Sequence, residues 1–91
     1  MRFVPEDAQF IDTLGWGYFR LGRIEEAERL IRIALEKMPG EPVITEHLAD
    51  IHWHNGRTLE AIWLWRQALE LKPEERDYTR ISEKVSEREP R

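Results

Sequence analysis

Residues 14–39, LGWGYFRLGRIEEAERLIRIALEKMP, return 34 positions later as residues 48–73, LADIHWHNGRTLEAIWLWRQALELKP. Leu14, Gly22, Arg23, Glu26, Ala27, Leu30, Arg32, Ala34, Leu35, Glu36 and Pro39 recur as Leu48, Gly56, Arg57, Glu60, Ala61, Leu64, Arg66, Ala68, Leu69, Glu70 and Pro73. Comparing residues 8–39 with 42–73 gives 11 identities in 32 positions, where ordinary composition would give about two. A fixed period of this length marks stacked helical units, each too small to bury its apolar face alone. Stacks of this kind present a surface.

Each unit reads as two helices. Phe10, Ile11, Leu14, Tyr18 and Leu21 share one face at helical spacing. Asp7 stands where a side chain accepts a backbone N–H of the first turn, and Gly22 where a left-handed residue ends the helix. Ile24, Ala27, Leu30, Ile31, Ala34, Leu35 and Met38 form the stripe of a second helix, stopped by Pro39-Gly40-Glu41-Pro42. Pro42 then suits the first position of a third helix, marked by Ile44, Leu48, Ile51 and His52 and closed by Asn55-Gly56. Ala61, Ile62, Leu64, Trp65, Ala68 and Leu69 mark a fourth. Tyr78, Ile81 and Val85 give a fifth helix one narrow apolar stripe among charges, suited to a lid over the last unit. The tail Glu89-Pro90-Arg91 is expected to fray.

Composition narrows the function classes. The chain has 91 residues, 14 basic and 18 acidic, for a net charge of −4. The balance is −2 over residues 1–41, −1 over 42–73 and −1 over 74–91, so no basic patch recommends nucleic acid as a partner. With no cysteine, disulfides, thiolate metal sites and a cysteine nucleophile are excluded, and the redox compartment stays open. No apolar run approaches the ~20 residues of a membrane-spanning helix. Met1-Arg2-Phe3-Val4-Pro5 is too short for a secretory signal, and nothing fixes a cellular location. No phosphate-binding loop, His-Glu-x-x-His or Gly-x-Ser-x-Gly occurs, so no enzyme reading is made and no cofactor is called for.

The spaced positions resemble the tetratricopeptide repeat, a 34-residue pair of antiparallel helices. With Ala8 as position 1, Leu14, Gly15, Tyr18, Ala27, Ala34 and Pro39 fall on its preferred positions. With Pro42 as position 1, Leu48, Ala49, His52, Ala61, Ala68 and Pro73 do the same. The resemblance implies an all-α array of antiparallel helix hairpins: two repeats, 8–41 and 42–75, and a capping helix with tail over 76–91. Gly15, Ala49, Ala27 and Ala61 would sit where paired helices approach closely, and Ala34 and Ala68 would face the next repeat. The pattern departs at Ile11 and Thr45, where a tryptophan is usual, and at His52, where an aromatic is usual. Ser82 and Glu83 keep the fifth helix from being a full repeat. Run backwards, the pattern makes residues 1–7 the end of a preceding repeat, and the chain the C-terminal piece of a longer, bacterial-type array. Phe3, Val4 and Phe10 would then be exposed, favouring self-association.

By the same resemblance, the first helix of each repeat lines a concave groove. Carried over, its lining is Gln9, Asp12, Thr13, Trp16, Phe19 and Arg20, then Val43, Glu46, His47, Asp50, Trp53 and His54. Such a groove would be aromatic and acidic, with Arg20 its main positive charge. It would suit a protein or peptide carrying apolar anchors and Lys or Arg. The alternative is a structural segment that caps a longer array or drives self-assembly, with Trp16 and Trp53 packing between neighbouring helices. The lysine and asparagine that hold a terminal carboxylate in some relatives are absent, so that activity is not expected. His47, Asp50 and His54 share a helix face that could ligate zinc, but metal sites usually draw on more than one element, and none is assigned. Trp65 is expected in the core, Trp63 near the convex surface, and His52 in the core with its ring nitrogens paired.

Overall fold

The computed structural model describes residues 7–89, which form five helices and no strand. They are α1 (Ala8–Arg20), α2 (Ile24–Lys37), α3 (Pro42–His54), α4 (Thr58–Glu70) and α5 (Glu75–Arg88). Arg2, Phe3, Val4 and Pro5, the remnant of a preceding repeat in the sequence reading, lie outside the described residues, as do Pro90 and Arg91.

Local chemistry sets the helix limits. Asp7 accepts the Gln9 N–H at 2.9 Å, and Glu41 accepts that of Val43 at 2.9 Å beside Pro42 in the first turn. Both caps satisfy a backbone donor that has no partner inside its helix. The two hairpin turns are copies of one another. Gly22 (φ 86°) and Gly56 (φ 82°) take the left-handed conformation, where a Cβ costs energy. The next residue in each, Arg23 or Arg57, donates its N–H to Tyr18 or His52 at 2.9 Å.

Packing repeats with the same period. α1 lies on α2 and α3 on α4, while α2–α3 and α4–α5 contacts join the hairpins into a rod 52 × 26 × 18 Å in extent. Ala27, Ala34, Ala61 and Ala68 have no exposed surface, and Ile31 and Trp65, 34 residues apart, are the large side chains buried beside them. One cluster of buried residues spans α1, α2 and α3, a second α3, α4 and α5. Ile81 and Val85 of α5 complete the second cluster, so the last repeat keeps a covered apolar face.

The first hairpin is the tighter of the two at its crossing. A Cβ on Gly15 would lie 2.8 Å from Ile31 Cγ1, 3.2 Å from Leu30 Cβ and 3.3 Å from the Ala27 carbonyl oxygen. Ile31 is fully buried and has nowhere to swing. Gly15→Ala is therefore expected to lose about 1–2 kcal/mol, overpacking outweighing the ~1 kcal/mol of helix propensity gained. Gly17→Ala, where a Cβ meets nothing within 4 Å, is expected to gain about 0.5–1 kcal/mol. Urea unfolding of the two variants checks the contrast.

Candidate functional site

The first helices of the hairpins and α5 lie side by side, and the 34-residue step runs across them. Asp12, Glu46 and Arg80 form one row; Trp16, Asp50 and Lys84 form the next. Direct bonds tie the rows together. The Arg80 guanidinium donates to both Glu46 oxygens at 2.6 and 2.8 Å, and Lys84 Nζ reaches Glu46 at 2.6 Å and Asp50 at 2.9 and 3.0 Å. Asp50 also accepts the Trp65 indole N–H at 3.0 Å.

These contacts change the electrostatics inferred from the sequence. Glu46 is only 2% exposed, a burial that by itself raises a carboxyl pKa. The hydrogen bonds and charges of Arg80 and Lys84 outweigh it, holding Glu46 below the usual value of 4.5. Asp50 goes the other way: burial and the neighbouring Glu46 charge raise it above 3.8, against the bonds from Lys84 and Trp65. Arg80 is raised by its hydrogen bond to Glu46. Hence α5 is not uniformly wet outside its apolar stripe, and Arg20 is not the main cation of this face. Carrying the 34-residue step once more, from Glu46 to Arg80 and from Asp50 to Lys84, would have found both partners.

Aromatic rings fill the space between these charges. Trp16 stacks on His47 (centroids 4.1 Å apart, 14° between planes) and on Phe19 (4.8 Å, 21°). His47 Nδ1 lies 2.8 and 2.9 Å from the two oxygens of buried Asp12; a carboxylate only accepts, so this nitrogen is the donor. Phe19 meets His54 edge-on at 5.6 Å. Trp53 tilts against Trp65 at 5.8 Å, and the Arg88 guanidinium lies 5.4 and 5.6 Å from the two ring centroids. The arrangement leaves an open groove of about 230 Å³ lined by Trp16, Phe19, Asp50, Trp53, Trp65, Lys84 and Arg88.

The other residues named from the sequence lie outside the lining of this groove, and Thr13 lines an open groove on the outward face of α1 instead. Gln9, Thr13 and Arg20 are exposed on α1, and Thr13 Oγ1 donates to the Gln9 carbonyl at 2.9 Å. Val43 is half-buried at the start of α3 and His54 is exposed at its end. His47, Asp50 and His54 face different partners, and among the described residues no group of three His, Cys, Asp or Glu is placed to hold a metal. Trp65 is 1% exposed and Trp63 60%. His52 is buried as expected, but its Nδ1 has no hydrogen-bond partner among the described residues. The expected pairing of that atom does not form, because no polar side chain of the packed helices reaches it. Burial holds His52 below its ordinary 6.5. No described helix is long and apolar enough to cross a membrane.

No family model matches the chain. Over 46 residues it is 37% identical to a TPR repeat-containing protein of Pseudomonas aeruginosa, a match covering 50% of this chain and 8% of that protein. The period in the sequence, the stack of helix hairpins built on small residues, and this likeness together fit a tetratricopeptide-repeat protein.

Proposed function

We propose that the chain is a non-catalytic protein-interaction module whose binding surface is the aromatic groove across α1, α3 and α5. In this reading residues 8–41 and 42–75 are the repeat units and 76–91 the cap. Trp16, Phe19 and Trp53 are the anchors, with Gln9, Asp12, Arg20, Glu46, His47, Asp50 and His54 framing them. The observation that carries the reading is the half-buried state of Trp16, Phe19 and Trp53 around one open groove. Rigid aromatic side chains of this kind dominate binding energy where a partner excludes water.

The partner's charge follows from which groups are already paired. Glu46 and Asp50 are held by Arg80 and Lys84, so they add little attraction for a basic segment. Among the described residues the Arg88 guanidinium makes only long polar contacts, 3.4 Å to Glu87 and 3.5 Å to the Lys84 carbonyl. The favoured ligand is a peptide with an aliphatic or aromatic anchor beside an acidic group that reaches Arg88.

A structural reading, in which the rings only pack neighbouring helices, draws on the Trp53–Trp65 and Trp16–His47 contacts. Selection from a random peptide display library separates the two. The binding reading expects anchors flanked by Asp or Glu, and Trp16→Ala weakening capture about 30-fold, a change of ~2 kcal/mol, at a nearly unchanged melting temperature. Capture indifferent to Trp16→Ala, with a lower melting temperature, would give the surface to the structural reading.

A further inference from the structure

His52 occupies the place in the second hairpin that Tyr18 holds in the first, 34 residues back. The two differ in cover. Tyr18 is half-buried, with the Arg23 guanidinium 5.3 Å from its ring centroid, whereas His52 is 5% exposed. α3 packs against both α2 and α4, and charged groups of both act on the His52 ring: Glu28 and Arg32 from α2, Arg57 and Glu60 from the N-terminal end of α4. His52 therefore lies at the seam of the two hairpins. Its Nδ1 is buried there and meets no hydrogen-bond partner among the described residues.

We infer that His52 is an acid-sensitive joint: when its ring takes up a proton, the seating of α3 between α2 and α4 is weakened. A neutral imidazole has one N–H and one acceptor nitrogen, whereas an imidazolium has two donors. Protonation therefore places at Nδ1 an N–H with no acceptor, together with a full positive charge, in a seam that has no water-facing side for that atom.

The neighbouring charges do not compensate. Arg32 and Arg57 oppose a third cation, and Glu28 is already bonded to Arg32 at 2.9 Å and faces Arg57 at 4.0 Å. Glu60 is exposed, and an exposed charge attracts weakly across water. Burial first, then Arg32 and Arg57, hold His52 below its ordinary 6.5 against the pull of Glu28 and Glu60. The unfolded chain thus takes the proton first, and stability present above pH 6.5 is lost as pH falls through the folded value. Tyr18 brings no imidazole to the first hairpin, so the device belongs to the second. α3 also carries Asp50 and Trp53 of the groove, so the joint acts on that surface from behind.

Urea unfolding of the whole chain at about pH 7.5 and about pH 5 tests this, an interval in which histidine titrates and most carboxylates keep their charge. Wild type, His52→Gln and His52→Phe are compared, and His47 and His54 are common to all three. The ratio of the wild type's folding equilibrium constant to that of either variant is expected to fall about fivefold or more between the two conditions. NMR titration of the wild-type imidazole signals gives a second reading that needs no variant, and His52 is expected to protonate below pH 6.5. A ring that protonates at or above that pH, or an acid loss of equal size in the variants, overturns the inference.

Discussion

Replacing Trp65 with alanine is expected to cost about 3–5 kcal/mol, the range for removing a large aromatic from a packed interior. Trp65 is 1% exposed, lies in the cluster shared by α3, α4 and α5, and tilts against Trp53. Its indole N–H is one of the donors to Asp50, so the substitution leaves a cavity and takes a bond from a carboxylate that burial already disfavours. For a chain of this size, total stability on the order of 5–13 kcal/mol is expected, and Trp65→Ala should leave little of it. Trp65→Phe keeps most of the volume and loses the donor, so a smaller loss, about 1–2 kcal/mol, is expected. Urea unfolding followed by circular dichroism gives both numbers. A loss under about 1 kcal/mol for Trp65→Ala would mean the core is not organised around this ring.

The second large effect is electrostatic and depends on pH. The double substitution Arg80→Met and Lys84→Met keeps the apolar stems and strands Glu46, 2% exposed, without a cation. Breaking a buried pair in this way costs about 3–5 kcal/mol. In the wild type Glu46 is held below 4.5, so its contribution is fully present above that pH and is lost as pH falls through the native value. In the double variant burial acts alone and the folded value rises above 4.5. The penalty is then present at neutral pH and fades as pH falls toward 4.5 and below. Asp50, already raised and now without Lys84, shifts the same way. Wild type and variant should therefore differ most at pH 7, with the difference shrinking as pH falls below 4.5, by urea unfolding across that range. A pH-independent difference would show that packing, not charge, carries the loss.

Much of the architecture could be read directly because local rules and the repeat agreed. Gly22 and Gly56 end helices by backbone conformation alone, Pro42 and Asp7 start them, and small residues at Gly15, Ala27, Ala49 and Ala61 permit the close crossing. These constraints act within one hairpin. The polar network across α3 and α5 depends on which helices become lateral neighbours. Read singly, Arg80, Lys84 and Arg88 fit a solvated helix face as well as a buried pairing. Their role emerges only when Glu46 and Asp50 are stepped forward by one period. The orphaned His52 Nδ1 was not legible for the same reason: a helical stripe shows that a side chain is inside but not what its polar atoms meet.

The chain has four tryptophans, and their indole N–H signals report separately on the groove, the core and the exposed surface of α4 at Trp63. Adding a peptide with an acid-flanked apolar anchor to isotope-labelled protein is the most direct measurement. The signals of Trp16 and Trp53 are expected to move on binding, while that of exposed Trp63 stays in place. Movement of Trp63 alone, with Trp16 and Trp53 undisturbed, would contradict the assignment of the binding surface to α1, α3 and α5.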